Sequence, residues 1–379
     1  MRAVFPAHWA VLPFGEAIKD VTSNYQKVQK SEYNDVGIFP IVDQGQQLYG
    51  GFTSDSSLVS LESYPSIVFG DHTRIFKFIN EPFCLGADGA KVLEPKVMLD
   101  KKFLFYYLSS LHIESVGYSR HFKFLKENVV PVPPLAEQKR IAAILNKADA
   151  IRRKRQQAIQ LADDFLRAVF LDMFGDPVTN PKGFKKSKLT DLADVITGFA
   201  FKSAEYVQDS DGPVRLCRGV NTLTGYFEWK DTAFWDSKKL KGLNHYKLES
   251  GDVVLAMDRP WISSGLKVCV FPENERDTYL VQRVARIRPK QPGYTDYLYS
   301  SILSPAFEKH CCPTETTVPH ISPIELKNFE ILTPDEDSVK KYHDVVSKLR
   351  KSKIGMEMSF TEANQIFNSL SQKAFSGKL

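Results

Sequence analysis

The chain has 379 residues, enough for two or three domains, and its 43% hydrophobic and 25% charged content is that of a soluble globular protein. A net charge of +5, from 50 Lys+Arg against 45 Asp+Glu, permits nucleic-acid binding without demanding it. The five cysteines (Cys84, Cys217, Cys269, Cys311 and Cys312) form no CxxC pair, so neither a disulfide framework nor a zinc site is indicated. Met1–Phe14 is apolar but short and broken by Pro6, His8 and Pro13, which excludes a signal peptide or membrane span there. A reduced, cytoplasmic protein with no membrane association is expected.

Residues 1–132 read as a first globular domain, with more strand than helix. Short β-rich runs alternate with turn residues: Gly37–Val42, Gly45–Gly51, and Tyr64–Phe69 followed by Gly70-Asp71. Ile75–Ile79 and Lys91–Leu93 read as further strands, and Phe103–Ser110 as a short amphipathic helix. Tyr118–Lys126 interleaves basic and aromatic residues, a pattern that suits either a phosphate-facing surface or an ordinary strand with solvated cations.

Residues 133–178 change character. Pro131, Pro133 and Pro134 stop a strand and permit a helix to start, Glu137 suits the positive end of the helix dipole, and Gly175, Asp176 and Pro177 end the run. Between them Ile144, Ala148, Ile151, Arg155, Ala158, Ala162, Phe165 and Val169 recur at spacings of four and three, a heptad seam with one basic interruption.

Residues 179–333 repeat the globular plan with different details. Leu189–Ile196 is a helix or strand run, Val214–Gly219 and Leu248–Leu255 read as strands, and Leu280–Arg288 reads as a strand with one basic face. Tyr294–Leu303 matches the short helix of the first domain. The loop Pro313–Ile321, with Thr316, Thr317 and His320, leads through Ile324–Leu332 into residues 334–379, a second long helix. Its seam is Val339, Tyr342, Val346, Leu349, Lys353, Met356, Phe360, Ala363, Phe367 and Leu370. Phe165-Leu166 superimposes on Ile366-Phe367 and Phe174 on Phe375, all 201 residues apart. The chain is one globular-unit-plus-helix plan written twice. The fold expected is α+β: two mixed α/β domains joined by two long antiparallel helices that form a coiled coil, an internal repeat with a pseudo-twofold relation.

Catalytic signatures are missing. No GxxxxGK[ST], GxGxxG, HExxH or GxSxG occurs, Pro133-Pro134 is followed by Leu135 rather than an aromatic residue, and Pro334-Asp335 lacks a nuclease-like continuation. Together these favour a binding protein over an enzyme.

The segment Val132-Pro-Pro-Leu-Ala-Glu-Gln-Lys-Arg-Ile-Ala-Ala-Ile-Leu145 resembles the conserved segment of the specificity subunit of type I restriction–modification systems, and the doubled layout resembles that family over essentially the whole chain. Gly198–Ser203, Gly251-Asp252 and the terminal Ala374–Gly377 are smaller echoes. The second helix begins Thr333-Pro-Asp-Glu-Asp-Ser338 and lacks the Glu-Gln pair. The resemblance implies a non-catalytic subunit whose two target-recognition domains each read one half of a split sequence in double-stranded DNA, with the paired helices setting the gap. It implies two adenine methyltransferase subunits and motor-nuclease restriction subunits as partners. S-adenosylmethionine, Mg and ATP belong to those partners, and this chain holds no cofactor or metal.

On that reading the DNA-facing candidates are Arg74, Arg120 and Lys123 in the first domain, and Lys202, Arg215, Arg218, Arg259 and Lys267 in the second, each at a turn or in a polar–aromatic cluster. Ile141, Leu145, Ile159, Leu166 and Phe170, off the seam, are candidates for gripping the methyltransferases, with packing against the adjacent domains as the competing use. The alternatives are a coiled-coil scaffold that binds no DNA, and a free-standing DNA methyltransferase or nuclease, which binding of S-adenosylmethionine by the isolated chain would favour.

Overall fold

A computed structural model describes residues 5–60, 64–87, 89–115, 117, 119–210, 212–311 and 320–379. The chain divides into two compact units, residues 1–157 with 356–379, and residues 158–355.

The first unit opens with β1 (Ala10–Pro13), α1 (Phe14–Ala17), β2 (Ile18–Asp20), β3 (Lys27–Val28), β4 (Phe39–Val42) and β5 (Gly51–Thr53). It continues through β6 (Ser66–Gly70), β7 (Phe76–Ile79), β8 (Cys84–Gly86) and β9 (Ala90–Pro95) to α2 (Lys101–Ser110), α3 (Phe122–Leu125) and β10 (Val129–Val132). One antiparallel sheet has the order β2-β9-β6-β7; a second, mixed sheet has the order β3-β8-β4-β5. β1 pairs with β10, which closes the domain on itself just before the long helix α4 (Leu135–Phe174). β6, Ser-Ile-Val-Phe-Gly, is buried along its whole length because the sheet is covered on both faces.

The second unit adds β11 (Lys185–Lys188), α5 (Leu189–Leu192), β12 (Ala193–Thr197), β13 (Val214–Cys217), β14 (Ala233–Trp235) and β15 (Val253–Ala256). A small hairpin of β16 (Trp261–Ile262) and β17 (Gly265–Leu266) precedes β18 (Val268–Val270), β19 (Thr278–Leu280) and β20 (Val284–Pro289). Then come α6 (Thr295–Ile302), α7 (Pro305–Cys311), α8 (Pro323–Asn328), β21 (Glu330–Thr333) and the second long helix α9 (Glu336–Phe375). Its antiparallel sheet, β12-β20-β15-β18, reproduces β2-β9-β6-β7 strand for strand. β13, antiparallel to β14 and parallel to β19, reproduces β4 between β5 and β8, and β11–β21 reproduces β1–β10. The fold is α+β and the plan is repeated. α4 and α9 are each 40 residues long and begin and end 201 residues apart, 135 against 336 and 174 against 375.

Each unit contains a stretch of both long helices, and in each they run antiparallel. In the first, Arg140 donates to the Leu379 carbonyl, the Arg152 guanidinium lies 4.6 Å from the Phe367 ring, and Arg155 donates to Ser359. In the second, Lys353 bonds Asp163 at 2.6 Å, and Phe170 and Phe174 meet Tyr342. Both basic seam interruptions, Arg155 and Lys353, thus have a polar partner on the other helix. The α9 seam from Val339 to Leu370 is buried or half-buried throughout.

The α4 seam needs correction by one residue. Ile151 and Phe165 are 44% and 52% exposed, whereas Ile141, Leu145 and Phe170, expected on an outer face, are 1%, 0% and 5% exposed inside the unit cores. Ile159 and Leu166 are half-buried. Two heptad solutions share Ala148, Arg155, Ala162 and Val169; spacing alone does not say whether 144/151/158/165 or 145/152/159/166 completes the stripe. Packing against the globular parts selects the second: Phe170 stacks on Tyr297 of α6, and Ile141 and Leu145 join the core beneath α2.

The Pro-Pro-Leu-Ala-Glu-Gln segment is also used internally. Gln138 is fully buried; its Nε2 donates to the carbonyls of Met98 (3.1 Å) and Pro133 (2.7 Å), and its Oε1 accepts from Asp100 N (2.7 Å). Asp100 in turn caps α2. Glu137 accepts from the Trp9 indole at 3.1 Å. The second helix has Val339 at the position 201 residues on, inside an apolar core, so it does not need the pair.

Candidate nucleic-acid interface

The repeat places one loop corner at the same point of both units. In the first unit the backbone leaves β6 at Asp71, whose N–H donates to the Gly89 carbonyl (2.6 Å) and whose carbonyl accepts from His121 N (2.9 Å). In the second it leaves β15 at Met257, whose N–H donates to the Arg283 carbonyl (2.9 Å) and whose carbonyl accepts from Ile321 N (2.9 Å). Three segments therefore meet in each unit: the loop after the third sheet strand, the turn before β9 or β20, and the segment before α3 or α8. By these bonds His72 corresponds to Asp258, Gly89 to Arg283, and Arg120 to His320.

In the first unit the corner is closed by the loop after β4. Gln44 accepts from His72 N through its side chain (3.2 Å) and from the Thr73 hydroxyl through its carbonyl (2.6 Å). Beside it Asp43 lies 3.6 Å from the Lys77 ammonium, which is only 4% exposed; burial pulls the lysine below its ordinary pKa while Asp43 opposes the shift. Arg74 holds a left-handed backbone (φ 63°) and donates to the Ile113 carbonyl at 2.9 Å. Half-buried and so tied, it braces the corner rather than reaching out of it. Arg120 and Lys123 are exposed. Residues 122–125 form α3 rather than a strand, and Lys91, Lys123 and Lys126 lie over the rings of Phe122 and Phe124. Phe122 is buried and is not available as a stacking ring, whereas Phe124 is half-buried. Tyr118 lies outside the described residues, as do Cys312, Thr316 and Thr317.

In the second unit the corner is organised by Asp258. Its Oδ2 accepts from Arg283 Nη1 at 2.5 Å and its Oδ1 meets His320 Nδ1 at 2.6 Å. The Arg283 hydrogen bond is the main cause that holds the Asp258 carboxyl below its ordinary pKa. Lys267 donates to the Asp258 carbonyl at 3.3 Å. Burial lowers its pKa, the Asp258 carboxylate raises it and the Arg259 charge lowers it further. Arg259 is exposed with a left-handed backbone (φ 44°), and Arg283 shares that conformation (φ 64°).

Of the residues singled out in the sequence, this corner gathers Arg259 and Lys267. Lys202 is exposed on a separate loop. Arg215 is corrected: it is 8% exposed, lies 3.6 Å from the Trp229 ring, donates to Thr278 Oγ1 at 3.0 Å and pairs with Glu275. A guanidinium so enclosed supports the β13 sheet and presents no donor outward. Arg218 is half-buried and spent on the Asp231 carbonyl at 2.5 Å. The basic face expected of Leu280–Arg288 is neutralised: Arg286, 3% exposed, pairs with Asp194, and Arg288 with Asp252 at 2.7 Å. Arg283 and His320 were missed as site residues. The signal for Arg283 was its phase: Arg286 and Arg288 keep the two-residue period of a strand, and Arg283 falls off it, as a turn residue does.

Among the described residues no group of three or more metal-ligating side chains is assembled, and no helix is long and apolar enough to cross a membrane. His310 meets the Glu325 carbonyl at 2.9 Å.

Residues 15–161 match the model of the type I restriction modification DNA specificity domain. The chain is 24% identical over 363 residues to the specificity subunit of the type I restriction enzyme MjaVIII of Methanocaldococcus jannaschii, covering 88% of this chain and 84% of that one. It is 27% identical over 187 residues to the EcoAI specificity subunit of Escherichia coli, covering 47% of this chain and 31% of that one. Its fold is similar to the crystal structure of the type I restriction–modification S subunit from M. genitalium, with a TM-score of 0.56 at 13% identity over 97% of this chain and 96% of the other.

Proposed function

From the premise that this chain belongs to the specificity-subunit family of type I restriction–modification systems, we propose that each of its units reads one half of a split DNA target through its loop corner. The domains doing so are residues 1–132 and 179–333, with 133–178 and 334–379 as the spacer helices. The observation that carries this reading is the repeat itself. Two units with the same sheet order and the same pair of corner hydrogen bonds differ in the side chains they present there, as two readers of different sequences must. The exposed cations Arg120, Lys123 and Arg259, together with the half-buried Lys267, supply phosphate contacts that position each unit, and base edges supply specificity.

The chain carries out no chemistry itself on this reading; S-adenosylmethionine, Mg and ATP are used by two adenine methyltransferase subunits and the restriction subunits. Ile141, Leu145 and Phe170 are spent on the cores, so the grip on the methyltransferases falls to apolar residues left outside. Among these are Leu161 and Phe165 on α4 in the second unit, and Met358 and Ile366 on α9 in the first.

The test is a methylome. The chain is expressed with the methyltransferase subunit of its system in a host without DNA methylation, beside the methyltransferase alone. A split adenine-methylation motif with a constant gap, present only with this chain, is the expected result. Methylation indifferent to the chain contradicts the proposal and favours a scaffold.

A further inference from the structure

We propose that Arg283 reads a guanine in the half-site taken by the second unit, with Asp258 as the residue that positions it; this rests on the DNA-reading function proposed above.

The first observation is conformational. Position 283 has φ 64°, and the equivalent position of the first unit, φ 74°, is Gly89. Glycine adopts a left-handed backbone without penalty, whereas an arginine there is strained. The second unit thus keeps a side chain at a turn where its own repeat does without one. The second observation is chemical. The guanidinium side chain is 67% exposed, yet only Nη1 is engaged, by Asp258 Oδ2. Nη2 and Nε have no hydrogen bond among the described residues. Asp258 is fixed from its other oxygen by His320 and by the backbone bridge between Asp258 and His320. The result is a planar fork held by one tine and open along the other edge.

The third observation separates a base from a phosphate. An arginine already paired with a carboxylate has lost much of its long-range attraction for a phosphate, but its donor geometry is intact and pre-oriented. Guanine O6 and N7 are neutral acceptors that such a fork engages bidentately in the major groove. Among the described residues Arg259 makes no ion pair, and the charge attraction for the backbone stays with it. In the first unit the corresponding residues are Gly89, His72 and Arg120, an arrangement without a positioned fork, so the two halves of the target are read by different chemistry.

Wild type, Arg283→Gly, Arg283→Lys and Asp258→Asn are each co-expressed with the methyltransferase subunit, and methylated adenines are mapped. Arg283→Gly restores the residue the turn favours, so it removes the reader while easing the backbone. The wild-type motif is expected to require a G·C pair at one position of one half. Arg283→Gly is expected to lower the preference for that pair by about ten- to a hundred-fold, with the gap and the other half unchanged. Arg283→Lys and Asp258→Asn are expected to loosen the same position by less, since each leaves a donor that is no longer a held fork. An even loss of methylation with every position still required would make Arg283 a backbone contact and overturn the proposal, as would a motif unaltered by Arg283→Gly. A wild-type chain that yields no split motif would instead remove the DNA-reading function beneath it.

Discussion

Arg215 and Arg259 are indistinguishable as letters in a basic sequence, and the fold treats them oppositely. One is enclosed by Trp229, Thr278 and Glu275; the other stands exposed on a left-handed turn. What the sequence lacks is the partner: Glu275 lies 60 residues from Arg215, and no local pattern pairs them. Lys77 shows the same in the first unit. Its folded pKa is below the ordinary 10.5, so above that folded value the unfolded chain binds more protons than the native one. Stability of the first unit is therefore expected to rise with pH until about the ordinary lysine pKa is passed, and Lys77→Met to flatten the rise, as read by denaturant titrations at stepped pH. Asp43→Asn leaves the ammonium buried without its counter-charge and is expected to cost about 3 kcal/mol, the order found when one member of a buried pair is removed. A stability unaffected by Asp43→Asn would mean that Lys77 is solvated.

At the level of elements, the long helices were legible, and so was the facing of α9, but the facing of α4 was not. Proline start signals, the Gly175 stop and the heptad spacing locate α4 and α9, because these features act within a few residues of where they stand. Which stripe is inside depends on Tyr297, Tyr342 and the underside of α2, contacts that no helical period contains. The corrected stripe has a direct consequence. Phe170→Ala is expected to destabilise the second unit by about 3–5 kcal/mol, and Phe165→Ala by about 1 kcal/mol or less, in equilibrium urea unfolding. The reverse order would restore the seam first drawn through Ile151 and Phe165. Gln138 belongs here too. Gln138→Ala leaves three backbone groups of a closed joint without partners and is expected to cost roughly 3 kcal/mol, at about 1 kcal/mol for each. A melting temperature unchanged by that substitution would show the motif to be used for something other than joining α4 to α2.

For the whole molecule, the doubled plan was readable from a 201-residue offset in the helices, since apolar periodicity survives divergence better than loop sequence does. The equivalence of the two corners was not readable. It rests on backbone hydrogen bonds made by Asp71 and Met257, residues with no side-chain chemistry in common. The side chains at the corners differ because the backbone alone is repeated there, which is the arrangement a reader of two unlike half-sites requires. The measurement that tests this most directly is a pair of methylomes. One is from a chain carrying Arg120→Ala and Lys123→Ala in the first corner, the other from a chain carrying Arg259→Ala and Lys267→Ala in the second. The account expects each pair to weaken or blur recognition of one half of the split motif, a different half in each case, with the gap preserved. Loss spread evenly over both halves from either pair, or no change from both, would contradict it.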